Sequence, residues 1–220
     1  VLHFEGDRDS RFRMVRAMKN RFGPVDEVGC FDLGAEGINA VTDPTGLFVS
    51  RHSEPVPGTC VTVMMEGRRP LLAEVQALVG PSNAPQPRRT TSGLESSRVA
   101  MVLAVLGSRV GIRLSDQEVY VATVGGVRIN EPVVDLSVAI AVASSACGMA
   151  AHPGLVAIGE VGLAGEIRMV SQLGARITEA ARMGFRRVVT PRAGAEEQQR
   201  DGVETVPVDD LVEALSALLT

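Results

Sequence analysis

The stretch from Glu118 to Ser145, EVYVATVGGVRINEPVVDLSVAIAVASS, decides the fold. Its first part alternates and is β-branched at Val119, Val121, Thr123, Val127 and Ile129, which predicts a half-buried strand pair. Gly125-Gly126 interrupts that run and supplies a turn or a bulge. Pro132 opens a helix at a position where its missing N–H costs nothing. Asp135 falls in the first turn of that helix, where the dipole favours a carboxylate. The run Val138-Ala139-Ile140-Ala141-Val142-Ala143 is apolar and small-sided, so the helix is expected to lie flat against a sheet. A strand leading into such a helix marks an α/β chain.

Downstream, Gly159-Glu160-Val161-Gly162-Leu163-Ala164-Gly165-Glu166-Ile167-Arg168 reads as a glycine-rich strand pair, and a helix follows from about Gln172 to Met183. This succession resembles the proteolytic domain of the Lon family, where the small-residue helix carries a nucleophilic serine and the later helix its lysine partner. Matched onto that pattern, Asp135 stands where the serine belongs and the lysine position falls near Gly174 to Arg176. A desolvated lysine takes the serine proton in such a dyad. Aspartate cannot be that nucleophile, and arginine stays protonated. The 22 basic residues include a single lysine, Lys19, far upstream. Ser137, Ser144 and Ser145 read as helix hydroxyls bonding their own backbone, and His152-Pro153 shows no partner pattern for a serine–histidine arrangement. The resemblance therefore implies a Lon-like domain without its catalytic dyad.

The whole chain has 220 residues, 45% hydrophobic and 22% charged, enough for one large or two small domains. Aromatics are 3% with no tryptophan, so the cores are expected to be Val, Leu and Ala packing. Cys30, Cys60 and Cys147 are spaced for neither a disulfide framework nor a zinc site, and point to a reducing cytoplasm. No apolar run approaches a membrane span, and no signal peptide is read. Without an initiator methionine, Val1 is expected to be an internal position of a longer protein.

Strands are predicted at 1–5, 28–33, 38–41 and 58–65, with a short piece at 46–49 and a helix at 11–20. Further on, residues 71–79 read as helical, 80–87 (GPSNAPQP) as linker-like, 95–106 as a helix, and 109–114 and 119–124 as strands. The C-terminal third has an α/β rhythm: strands at 155–160, 167–170, 186–190 and 203–206, helices at 172–183, 194–200 and 208–219, the last capped by Asp209 and Asp210.

The pentapeptide Lys19-Asn20-Arg21-Phe22-Gly23 is preceded by LHFEGDR and followed by PVDEVGCFDL, then SRHSEPVPGTCVTVMMEGRRPLLAEVQALV. These stretches resemble the RadA/Sms family of bacterial recombination and repair proteins, over essentially the whole chain. The resemblance implies two parts: residues 1–58 as the end of a RecA-like ATPase domain, and 59–220 as the Lon protease-like domain. It implies that Lys19 and Arg21 reach a neighbouring subunit's nucleotide and stabilise charge in the transition state. It also implies ATP and Mg in the full-length protein, zinc in an N-terminal finger outside this chain, and a branch-migration motor. Its partners would be single-stranded and branched DNA, RecA recombinase and, through a homo-hexamer, copies of itself; no membrane is implied. A Walker A loop needs a lysine after its glycines, and Lys19 in MKNRF is not one.

Net charge is −4, which by itself argues against nucleic acid, but the charge is unevenly spread. Residues 85–192 hold twelve arginines against eight acids, while the residues from 193 hold one against seven. Arg88, Arg89, Arg98, Arg168, Arg176, Arg182, Arg186, Arg187 and Arg192 are candidates for a basic face that binds phosphates without reading sequence. The competing classes are a Lon-type peptidase with an unconventional nucleophile and a pure oligomerisation module.

Overall fold

A computed structural model describes residues 1–5, 12–17, 19–21, 28–34, 37–41, 49, 55–195 and 202–216. The expected pieces at 46–49 and 194–200 lie largely outside them. The chain is α/β, as its rhythm implies. Near the N-terminus, β1 (Leu2–Glu5), β2 (Phe12–Ala17), β3 (Val28–Gly34) and β4 (Gly37–Ala40) form an antiparallel sheet in sequence order. The helix expected over 11–20 is instead the second strand of this sheet. Its residues pair with β1 on one side and β3 on the other, and a two-sided ladder overrides the weak helical spacing of FRMVRA.

The second sheet has seven strands. They are β5 (Thr59–Glu66), β6 (Arg69–Pro81), β7 (Arg89–Ser92), β8 (Gln117–Thr123), β9 (Leu155–Ala157), β12 (Arg187–Pro191) and β13 (Glu204–Val208). Their spatial order is β13-β12-β9-β5-β6-β8-β7. The run β13-β12-β9-β5 is parallel, β6 is antiparallel to both β5 and β8, and β7 runs parallel to β8. Strand β6 takes the place of the helix read at 71–79. Leu71, Leu72, Ala73, Glu74, Gln76 and Ala77 all favour helix in isolation, yet eight register pairs to β5 and seven to β8 hold them extended. A short turn at Gly67-Arg68, with Gly67 at φ 63°, closes the β5–β6 hairpin. The proline-rich segment after Pro81 is a loop between β6 and β7, two strands of the same sheet.

Helices cover both faces of this sheet. On one side lie α1 (Ser96–Val105), α2 (Asp135–Cys147) and α4 (Leu211–Ser216), whose Val102, Leu136, Ile140 and Leu211 share a core with Met64, Val75 and Val121. On the other lies α3 (Leu173–Arg182), with Leu173, Ile177 and Ala180 packed on Val63, Leu72, Val156 and Val188. Every residue from Asp135 to Ser144 is buried, as the apolar run Val138–Ala143 requires.

The strand expected at 109–114 does not form, and Val127 and Ile129, expected to continue the alternating strand pair, lie outside any strand. Leu106–Val110 forms a π-helical turn ended by Gly111 at φ 82°. Beyond β8 the Gly125-Gly126 pair makes a 3-10 turn, and the chain touches the sheet again at one isolated bridge, Ile129 to Leu94. Glu160–Val161 (β10) and Ile167–Arg168 (β11) pair as a separate short hairpin.

Candidate functional site

Three sets of residues carry the functional questions: the pentapeptide cations, the positions of a would-be dyad, and the arginines. Lys19 lies two residues past the end of β2. The Val1 amino group donates to the Lys19 carbonyl at 2.7 Å, and the Lys19 N–H returns to the Val1 carbonyl at 3.4 Å, so this end of the β1–β2 ladder is pinned. The side chains of Lys19 and Arg21 are both exposed, and neither has a hydrogen-bond or ion-pair partner among the described residues. Two residues apart just beyond the end of β2, they present free cations at one end of the sheet. Phe22 and Gly23 lie outside the described residues.

At the start of α2, Asp135 is 2% exposed and ion-paired to Arg98 of α1. Arg98 donates through both Nε and Nη2, and the Val161 N–H donates to Asp135 Oδ2 at 3.3 Å. Burial pushes the Asp135 carboxyl above the usual carboxylate range, and the Arg98 guanidinium pulls it only part of the way back. Glu160 continues the chain of charges, 3.8 Å from Arg98 and 3.6 Å from Arg168, and Arg168 pairs with Glu166. This network ties α1, α2 and the β10–β11 hairpin together and holds no nucleophile.

Arg176, in the region where the lysine would stand, is a buried arginine whose side chain is 1% exposed. It donates to the Val63 carbonyl at 2.6 Å, the Ser171 carbonyl at 2.9 Å and Glu131 Oε2 at 2.5 Å, while Glu131 Oε1 accepts the Met65 N–H. The fork of donors matches three acceptors that a single ammonium would not reach together. The serines are equally occupied. Ser137 Oγ donates to its own helix at Val134 O. Ser144 Oγ accepts the Gly58 N–H and donates to Met149 O, and Ser145 Oγ accepts the Val79 N–H. Ser144 and Ser145 thus bond other segments rather than their own helix, and they staple α2 to the sheet. His152 is exposed and faces the Pro153 carbonyl.

Most of the arginines proposed for a basic face are engaged inside the molecule. Arg176 is removed from any such face by burial, and Arg98 faces Asp135. Arg168 pairs with Glu160 and Glu166, Arg182 with Glu179, and Arg192 with Asp209 and Glu213. Arg187 lies 3.6 Å from Glu204, and Arg186 makes one contact with the Gly202 carbonyl at 3.3 Å. Arg88 is exposed without a described partner, and Arg89 is exposed with one nitrogen on the Leu114 carbonyl. A tally of charge along the chain counts an arginine equally whether it is solvated or salt-bridged, which is why the excess overstated the face. Glu131 and Glu160, which organise the two ion-pair clusters, carry no local sequence signal; Glu131 and Arg176 are 45 positions apart.

Among the described residues no group of three or more His, Cys, Asp or Glu is placed to hold a metal ion. No described helix is long and apolar enough to cross a membrane.

The geometry defines an α/β protein in which a helix-covered mixed sheet is locked by buried ion pairs, beside a smaller antiparallel sheet ending in free cations. The family described as Subunit ChlI of Mg-chelatase matches residues 95–194, inside the seven-stranded unit. The DNA repair protein RadA of Mycolicibacterium smegmatis is 52% identical over 191 residues, covering 87% of this chain and 41% of that protein. The RadA of Bacillus subtilis is 41% identical over 220 residues, covering 100% of the chain and 48% of that protein, and the RadA of Synechocystis is 41% identical over 219 residues, covering 100% and 43%. The chain belongs to the RadA/Sms family. It spans somewhat under half the length of these relatives.

Proposed function

We propose that this chain is part of an ATP-driven DNA repair motor of the branch-migration type. Residues 1–58 contribute the nucleotide-responsive end of a RecA-like ATPase domain. Residues 59–220 are a Lon protease-like domain that acts as hexamer scaffold and DNA-contacting tier and does not cleave peptides. The observation that carries the reading is the pinned strand end that leaves Lys19 and Arg21 exposed and unengaged. Whole-chain similarity to proteins named for DNA repair supports it. The ion pairs at Asp135 and Arg176, where a peptidase would keep a nucleophile and a neutral base, support the absence of proteolysis.

In this reading Lys19 and Arg21 act in trans. Held at the end of a paired strand, they meet the phosphates of a neighbouring copy's nucleotide and stabilise the charge that builds in phosphoryl transfer. The nucleotide and Mg supply the phosphoryl group and its charge neutralisation. The described cations include no second lysine for a phosphate-cradling loop, so that pocket belongs to another part of the protein. DNA, single-stranded or branched, meets the outer arginines. Arg88, Arg89, Arg186 and Arg187 remain as candidates, while Arg98 and Arg176 serve buried partners and Arg168 is ion-paired at the surface. Association with RecA recombinase and a cytoplasmic location accompany this role.

The test is ATP turnover by the intact protein carrying Lys19→Ala or Arg21→Ala. A finger that acts in the transition state predicts a fall in kcat of roughly 10³-fold or more with nucleotide affinity nearly unchanged. Equal losses of affinity and turnover would mean that the segment only supports the fold.

A further inference from the structure

Helix α2 ends at Gly148, whose φ of 65° turns the chain out of the helix. The Gly148 N–H donates to the Ser145 carbonyl at 3.3 Å, and the Met149 N–H donates to the Ser144 carbonyl at 3.1 Å. In a glycine cap of this form the residue after the glycine commonly packs on a side chain five or six positions back. Here those positions are Ser144 and Ala143, which offer little apolar surface, and Met149 stays 45% exposed. Beside this undersized contact lies a cavity of about 180 Å³. Buried Ile140, Ala143 and Leu215 line it, with half-buried Val110 and Ile112 from the end of the π turn. Cys147 and Met149, both exposed, line it where it meets solvent.

The chemistry of the lining narrows what can occupy it. Among the described residues no charged side chain lines the cavity. Its one hydroxyl, Ser144 Oγ, is already committed, accepting the Gly58 N–H at 2.8 Å and donating to the Met149 carbonyl at 2.5 Å. None of the buried side-chain polar atoms left without a partner belongs to a lining residue. A water settles in such a space only with roughly two to four polar partners, and apolar cavities of about 150 Å³ stay dry and take up benzene. A charged molecule would lose its hydration here and gain no counter-charge. Drug-sized ligands need roughly 300–1,000 Å³, more than this space holds.

We infer that the cavity at the end of α2 binds a compact, uncharged, apolar ligand of the size of one aromatic ring, with the Cys147 thiol and the Met149 thioether at its entrance. Methionine is unbranched and adjusts its shape to what lies against it, which suits it to that position. The site is independent of the nucleotide and DNA roles proposed above.

The test uses the 220-residue chain with benzene as probe and benzoate as its charged counterpart. Benzene at ten times its Kd should raise Tm by about 3–5 °C, and benzoate at the same concentration should leave Tm unchanged. Benzene should also slow alkylation of Cys147 by iodoacetamide on the order of tenfold, the factor by which the free site is depleted, read by mass spectrometry of the Cys147 peptide. Ala143→Leu and Ala150→Leu each fill the cavity from a different lining position. Both should melt no lower than wild type and lose the benzene shift. Absence of any benzene shift in wild type overturns the inference, as does an equal shift with benzoate or a shift that survives in either filled variant. Should neither filled variant fold, the Cys147 rate decides: alkylation unchanged by benzene overturns the assignment, and protection upholds it.

Discussion

Replacing Arg176 by alanine probes the polar cluster that stands where a lysine base would be. The side chain is 1% exposed and serves three acceptors on separate segments: the Val63 carbonyl of β5, the Ser171 carbonyl before α3, and Glu131 before α2. Arg176→Ala orphans all three. A buried acceptor left unmade costs about 1–3 kcal/mol, and breaking a buried ion pair from one side costs about 3–5 kcal/mol. Glu131 is 30% exposed and keeps the Met65 N–H, so water recovers part of its loss. The expected destabilisation is therefore about 3–4 kcal/mol, near the lower end of that range. For a chain of this size it lowers Tm by roughly 6–16 °C. Urea unfolding followed by far-UV circular dichroism reads it directly, with the midpoint shifted and the slope unchanged. Arg176→Lys should fall between wild type and alanine, because one ammonium cannot satisfy the fork. A loss under about 1 kcal/mol, or additivity with Glu131→Gln in a double-mutant cycle, would refute the reasoning.

Three further outcomes are expected. Burial raises Asp135 above its unfolded carboxylate value, so the folded chain holds the Asp135 proton more tightly than the unfolded chain does. Its contribution to stability is consequently greatest below the unfolded pKa and declines as pH rises through the folded one. Arg98→Met deepens this by removing the counter-charge, so its cost from urea midpoints should be larger at pH 7 than at pH 4; an equal cost would show that the Asp135 charge is not what Arg98 balances. Asp210 accepts the Glu213 N–H at 2.8 Å at the start of α4, and Asp210→Ala should cost about 1 kcal/mol in the same assay, with Asp210→Asn costing less. Purified chain incubated with unfolded casein should give no fragments, and cleavage abolished by Ser137→Ala or Ser144→Ala would overturn the reading of a domain without peptidase chemistry.

Several elements were legible in the residues alone. The apolar run Val138–Ala143 has to be buried, and it is. Pro132 at the entrance to α2 and the acids at the start of α4 mark helix ends by local chemistry, independent of what packs against them. The chain's single lysine, Lys19, leaves residues 59–220 with none to partner Ser137, Ser144 or Ser145 from within that part of the chain. The family was likewise legible, because its signature is contiguous sequence around residues 19–23.

What tertiary structure alone decided are the features whose partners lie far away in the chain. FRMVRA and PLLAEVQALV lean towards helix over their own length, but neighbours on both sides draw them into ladders, and the free energy of those ladders is invisible in a local window. Arg176 is the same case for charge. Its main partners, Val63 and Glu131, are 113 and 45 positions away, so a count along the chain places on the surface a guanidinium that the fold draws into its interior. Periodicity and capping are properties of adjacent residues. Which cation is left free for phosphate depends on which carboxylates the sheet brings beside it, and only packing supplies that.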